Sequence, residues 1–149
     1  MNWEVKCQKI SRGIRERVLE HTINHGGYLS QACSSAEIFS ILYNKSMKLG
    51  PSEGLFSTHK FEGTPSVNNP HPQKGFLYNG AKNPDLDRFF LSPSHYALTL
   101  YAALIETKRL NDKSLKEFNK DGSVLDMIGS EHSPGHETNG GSFGQTISQ

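Results

Sequence analysis

Neither a Walker phosphate loop nor a Gly-x-Gly-x-x-Gly turn occurs in this sequence, which removes the common mononucleotide- and dinucleotide-binding folds. Cysteine is scarce. Cys7 and Cys33 are the only two and make no CxxC knuckle, so neither a disulfide framework nor a cysteine metal site is indicated, and both are expected as reduced, structural thiols in a cytosolic setting. An excess of either charge is also missing: 16 Lys and Arg stand against 15 Asp and Glu, for a formal net charge of +1. The basic residues are scattered, without the patch a nucleic-acid partner needs. No apolar run is long enough to span a bilayer, and the opening Met1-Asn2-Trp3-Glu4-Val5-Lys6 lacks the charged-then-apolar order of a signal peptide. The sequence thus predicts a cytoplasmic chain with no membrane and no nucleic-acid partner. Its 149 residues suit one hydrophobic core, and no internal repeat or low-complexity tract divides them.

Helical patterning is clearest at the start. Ile10, Ile14 and Val18 recur every fourth residue among Lys, Arg and Glu, predicting an amphipathic helix over about residues 4–22 that stops before Asn24-His25-Gly26-Gly27, because paired glycines suit a turn. Ser34-Ser35-Ala36-Glu37 matches a capping box and predicts a second helix starting at Ser34. Ile38, Ile41 and Leu42 form its buried stripe, and Gly50-Pro51 is its stop. Residues 51–85 are rich in Gly, Pro, Asn, Ser and His and show no sustained period. The aromatics Phe56, Phe61, Phe76 and Tyr78 within them point to a long loop pinned to a surface rather than to a disordered linker. Residues 87–92 read as a short buried strand that leads through Pro93-Ser94 into a helix carrying Leu98, Tyr101, Leu104 and Ile105. A second capping box, Ser114-Leu115-Lys116-Glu117, predicts a short helix, and residues 124–128 a second short strand.

The run over residues 129–145 holds two histidines, two carboxylates and five glycines with too few apolar residues for a core element. Glycine lets backbone groups approach a ligand and histidine titrates near neutrality, so the run suits an active-site loop, although a solvated Gly/Ser loop has the same composition. His25, His95 and His136 lie in three separate Gly- or Ser-rich turns that could converge on one pocket. The four-residue spacing of His132 and His136 is compatible with a shared metal only on a helix, and Pro134-Gly135 between them forbids that helix. The strand, turn and helix around His95 resemble the carboxyl-end junction at which α/β folds bind anions. From the residues alone the reading is an α/β ligand-binding chain.

Several blocks, in order, resemble the amino-terminal, diphosphate-binding half of the transketolases. They are His25-Gly26-Gly27 with Ala36-Glu37-Ile38 and Leu42-Tyr43; Asp87-Arg88-Phe89-Phe90-Leu91-Ser92-Pro93-Ser94-His95 with Leu100-Tyr101; Pro134-Gly135-His136-Glu137; and Gly141-Ser142-Phe143-Gly144-Gln145. The resemblance implies an α/β fold, the front portion of the thiamine-diphosphate-binding domain, locally mostly helix and loop with few short strands. It implies thiamine diphosphate and Mg2+ as cofactors and sugar phosphates as substrates. His95 would contact the cofactor diphosphate, Gly141 and Phe143 would lend backbone groups near the aminopyrimidine, and His25 and His136 would line the substrate channel and assist proton transfer. The Gly-Asp-Gly motif that holds the magnesium in the family is absent from this sequence. Residues 1–149 are therefore expected to be a partial domain of a larger homo- or hetero-oligomeric enzyme, inactive without the remaining domains or a separate C-terminal subunit. A thiamine-dependent dehydrogenase, a phosphoketolase and a non-catalytic partner-binding fragment are the alternatives. With two short strands at most, the helices would lack a sheet to cover, which predicts apolar stripes left partly exposed and a chain that orders on meeting its partner domains.

Overall fold

The computed structural model describes residues 2–64, 66–69 and 73–140. Its principal elements are three α-helices, α1 (Trp3–His25), α2 (Leu29–Ile41) and α3 (Ala97–Glu106). A π-helical turn (Leu42–Ser46) continues α2, and 3-10 turns occupy Gly75–Asn79, Ser94–Tyr96 and Ser114–Glu117. No described helix is long and apolar enough to cross a membrane.

The most apolar element is α3, and its position follows from that. Every residue from Ala97 to Ile105 is buried, and a helix apolar on all sides is stable in water only when covered on all sides. On one flank lies α1, which turns Cys7, Ile10, Ile14, Val18 and His21 inward at three- and four-residue spacing, the stripe anticipated from Ile10, Ile14 and Val18. Arg17 of α1 donates through Nε (3.0 Å) and Nη2 (2.7 Å) to the Glu106 carboxylate at the end of α3. Antiparallel to α1 runs α2: Cys7 Sγ donates to the Ser40 carbonyl (3.6 Å), and Arg15 reaches Glu37 (2.6 Å) and the Cys33 carbonyl (3.0 Å).

Several expectations about the elements need correction. Helix α1 continues through His25, so that histidine ends the helix rather than standing in the turn; the stop is Gly26, which adopts φ 77° and donates its N–H to the Thr22 carbonyl (3.0 Å). Ser34 is not a cap. Helix α2 begins five residues earlier at Leu29, the Ser34 hydroxyl bonds the Gln31 carbonyl, and Glu37 is taken by Arg15. The inward face of α2 is Ala32, Ser35, Ala36 and Phe39, while Ile38 and Ile41 are 59% and 40% exposed. Small side chains permit close approach to α1, and this outweighs the greater hydrophobicity of the isoleucines. The stop is the π turn and not Gly50-Pro51. Ser114–Glu117 forms only a 3-10 turn without a side-chain cap, its serine hydroxyl diverted to Thr58 (2.8 Å).

The strand readings at residues 87–92 and 124–128 also fail. The single β-bridge among the described residues joins Ser66 and Asn69. A strand requires a neighbour for its N–H and C=O groups, and here both segments are held by side chains instead. Phe89 stacks edge-on against Phe39 and Tyr43, at ring separations of 5.9 and 5.3 Å. Val124 and Leu125 sink into the core, with the Leu125 carbonyl accepting from Asn119 N–H (2.8 Å). The described residues are thus mostly helix and loop, as expected, without the strands an α/β assignment calls for. The loop over residues 51–85 is pinned as its aromatics indicated, and the surface it lies on is this chain's own: Tyr78 is buried and its hydroxyl meets His59 Nδ1 (2.9 Å), while Asn111 N–H donates to the Gly54 carbonyl (3.1 Å).

Because Leu104 is fully buried on α3, Leu104→Ala should lower unfolding free energy by about 2–5 kcal/mol, the usual cost of such a cavity. Ile38→Ala, on the outer face of α2, should change it by less than about 0.5 kcal/mol. Urea denaturation of the two variants measures both.

Candidate functional site

The glycine-rich run crosses the face of α3 that the other helices leave open. Ser133, Pro134, Gly135 and His136 are all buried, with Gly135 set against Leu100 and Leu104. Its backbone is paired with the Gly75–Asn79 turn: Gly75 N–H donates to the Glu131 carbonyl (2.8 Å), and Gly135 N–H to the Gly75 carbonyl (2.9 Å).

Two polar anchors hold this run. The first is Asp126, whose Oδ2 lies 2.5 Å from His132 Nε2 and accepts from Ser133 Oγ at 3.2 Å; its backbone carbonyl accepts from the Tyr101 hydroxyl (3.0 Å). Burial opposes ionisation of Asp126, but hydrogen bonds from His132 and Ser133 and the nearby imidazoles outweigh it, and the carboxyl lies below its ordinary range. The second is Glu137, with only 3% of its side chain exposed. Arg88 reaches it through Nη2 (2.7 Å) and Nε (3.2 Å), and Asn79 Nδ2 donates both to Glu137 Oε1 (2.9 Å) and to the Gly135 carbonyl (3.0 Å). Asn79 in turn accepts from the Tyr43 hydroxyl (3.0 Å). A buried carboxylate is tolerated only with such partners.

Three segments picked out in the sequence do meet, at the amino end of α3. The His95 ring lies against Tyr96 (5.0 Å) and Tyr28 (6.0 Å), Gly27 fits against Leu98, and Gly140 fits against Ser92 and Ser94. His25 is exposed and packs instead on His21, at 5.0 Å between ring centres. His136 is set apart from both. It is 1% exposed, its Nδ1 faces the Pro134 carbonyl (3.4 Å), its ring lies 6.1 Å from Tyr101, and its Nε2 has no partner among the described residues. Gly129 lies directly over that nitrogen, where a Cβ would collide with the ring. Burial pushes the His136 imidazole down to about 4, so at neutral pH it is uncharged. Gly141 and Phe143 lie outside the described residues.

Beside Glu137 and Thr138 run two adjoining hollows of about 480 and 580 Å³, which share Lys82; Phe90 lines the first and Phe76 the second. Lys82 Nζ sits 4.9 Å and the Arg88 guanidinium 5.7 Å from the centre of the Phe76 ring. No group of three or more His, Cys, Asp or Glu gathers as a metal site among the described residues. Gly140-Gly141-Ser142-Phe143-Gly144 spells the Gly-x-Ser-x-Gly pattern of a nucleophile elbow, but no strand leads into it among the described residues, and the elbow is defined by a strand, turn and helix. Sequence reasoning missed Tyr43, Asn79, Arg88, Asp126 and Glu137 as the anchors of the run: all but the Asp126 carboxylate act through a residue distant in the chain, and Asp126 meets His132 and Ser133 six and seven residues on with no element period to mark the pairing.

Two predictions follow from the anchors and the buried imidazole. Arg88→Ala should destabilise the fold by about 3–5 kcal/mol, because it strands the Glu137 carboxylate; adding Glu137→Gln should recover part of the loss in chemical denaturation, a neutral amide needing no counter-charge. Between about pH 6.5 and pH 4 the unfolded chain binds a proton that folded His136 refuses, so stability rises with pH across that window and falls on acidification by on the order of 3 kcal/mol. His21 and His59, also lowered by burial, act in the same direction. Unfolding curves at pH 7.0, 5.5 and 4.5 should show this slope and a flatter one for His136→Asn; identical slopes would contradict the assignment.

No family model matches the chain. It is 31% identical over 137 residues to a putative uncharacterized transketolase family protein of Sinorhizobium fredii, an alignment covering 88% of this chain and 39% of that protein. It is 28% identical over 149 residues to transketolase-like protein 2 of Homo sapiens, covering 97% of this chain and 20% of that protein. The chain spans about two-fifths or less of the length of these curated relatives. Along most of its own length it is similar to a part of longer transketolase-family proteins.

Proposed function

We propose that this chain is the diphosphate-side portion of a transketolase-type transferase, moving a two-carbon ketol unit between sugar phosphates with thiamine diphosphate once the remaining domains are supplied. The observation that carries this reading is the meeting of Tyr28, His95 and Gly140 at the amino end of α3: His95 lies within one block of the sequence resemblance, and Tyr28 and Gly140 stand directly beside two others, His25-Gly26-Gly27 and Gly141 to Gln145. A diphosphate requires donor groups, a helix amino end and backbone free of side chains. The residues here fit. His95 is half-buried at the start of a ten-residue helix, and a Cβ on Gly140 would stand 2.8 Å from Ser94 Cβ and 3.0 Å from the Ser92 carbonyl. Magnesium does not fit, because no group of metal ligands gathers among the described residues, and its ligands are assigned to the rest of the enzyme.

Thiamine diphosphate supplies the electron sink for breaking a carbon–carbon bond next to a carbonyl. In this reading His95 holds the diphosphate, and Gly141 and Phe143 lend backbone groups near the aminopyrimidine. His25, exposed at the end of α1, takes a donor hydroxyl. His136 is neutral and able to accept a proton, and it reaches a substrate only when the Gly129 cover moves aside. The α/β class, with its sheet in the remaining domains, the cytoplasmic setting and the oligomeric state all belong to this same reading.

The isolated chain should show no ketol transfer and only weak binding of thiamine diphosphate with magnesium, since the diphosphate lacks its metal there. In the enzyme reassembled with the remaining domains, His95→Ala should weaken cofactor binding by about 1.5–3 kcal/mol in calorimetry. Turnover by the isolated chain, or equal cofactor affinity in wild type and His95→Ala, would overturn the reading.

A further inference from the structure

We propose that Asn139 is a self-modifying position: its side-chain amide is displaced by the main-chain nitrogen of Gly140, and the aspartate or isoaspartate that results unseats the backbone at the amino end of α3. Asn-Gly occurs twice in the sequence, as Asn79-Gly80 and Asn139-Gly140. In such a pair the glycine nitrogen is the nucleophile and the asparagine Cγ the electrophile. Chain connectivity brings them together, since a five-membered ring closes between consecutive residues and glycine puts no side chain in its way. Folding decides which pair is open to react.

Asn79 is shut. It is 0% exposed, its Oδ1 accepts from the Tyr43 hydroxyl (3.0 Å), and its Nδ2 donates to the Gly135 carbonyl (3.0 Å) and to Glu137 Oε1 (2.9 Å). Loss of that amide would break these bonds and release ammonia into the core, so reaction there waits on local opening. Asn139 is exposed, where water and base arrive and ammonia departs. Its Oδ1 accepts from the Glu131 N–H at 3.1 Å, and a donor on that oxygen stabilises the negative charge it gathers as the nitrogen adds to Cγ. Gly140 N loses its proton to base and bonds to Cγ; the Cγ–Nδ2 bond breaks, and the amide leaves as ammonia with a proton from water. Water then opens the cyclic imide. Attack at Cγ restores the main chain with aspartate, whereas attack at the main-chain carbonyl leaves isoaspartate, and nothing is oxidised or reduced.

Both products bring a negative charge, and isoaspartate also inserts a methylene into the main chain just before Gly140. There is no room for it: even a Cβ on Gly140 would stand 2.8 Å from Ser94 Cβ and 3.0 Å from the Ser92 carbonyl. On the proposed transferase reading the new charge also faces a diphosphate and repels it; the conversion itself does not depend on that reading. The full chain is aged in mildly alkaline buffer, and peptides spanning the two Asn-Gly pairs are followed by mass spectrometry, with enzymatic methylation scoring isoaspartate. The Asn139 peptide should gain about one mass unit at least about tenfold faster than the Asn79 peptide, while Asn139→Gln, whose ring would need a sixth member, keeps its mass. Hydrogen exchange across residues 92–96 should quicken in the converted chain and not in aged Asn139→Gln. No conversion at Asn139, equal rates at the two pairs, or unchanged exchange after conversion would overturn the proposal. In the reassembled enzyme, conversion should weaken thiamine diphosphate binding by about tenfold; an unaged enzyme that binds none would count against the transferase reading and leave the mass and exchange results standing.

Discussion

Covering α3 is the constraint from which the rest of the architecture follows. Nine consecutive buried residues, Ala97 to Ile105, leave no face that can be returned to water, and each leucine or isoleucine in that helix contributes roughly 1.5–3 kcal/mol only while it stays covered. One flank is closed by α1, which also ties the end of α3 down through Arg17 and Glu106. What no helix covers is closed by the glycine-rich run, where Gly135 lies flat on Leu100 and Leu104. The stretch with the composition of an active-site loop is therefore also a wall of the core.

That double duty explains the polar anchors. A run with so few apolar side chains gains little from the hydrophobic effect, and its own backbone polar groups must be satisfied wherever it is buried. Arg88 and Asn79 do this by holding Glu137, and Asp126 by holding His132 and Ser133 while its carbonyl accepts from the Tyr101 hydroxyl, so side chains outside the run anchor those within it. They replace secondary structure as the means of fixing its shape. They also decide which histidine is presented: His136 is drawn in beneath Gly129, His132 is committed to Asp126, and His95 keeps a half-buried place beside Tyr28 and Gly140.

By itself the sequence determined what depends on neighbours along the chain. The inward stripe of α1 was legible in Ile10, Ile14 and Val18 because a helix repeats every 3.6 residues whatever it packs against, and the Gly26-Gly27 stop was legible, within a few residues, because positive φ is a local property of glycine. The helix after Pro93 and the pinned aromatic loop were likewise readable from local composition. Only the tertiary structure decided the remainder. The apparent capping box at Ser34 lost to a start at Leu29, because the buried face of α2 begins at Ala32, ahead of that box, and its Glu37 is taken by Arg15 of α1. The apolar runs at residues 87–92 and 124–128 did not become strands, because no neighbouring strand was there to pair with them. The anchors of the glycine-rich run were invisible for the same reason: Arg88 and Glu137 are 49 residues apart, and an ion pair between them has no sequence period. Periodicity records which face of an element is apolar; which partner that face meets, and which buried charge finds which counter-charge, depends on distances that exist only once the chain has folded.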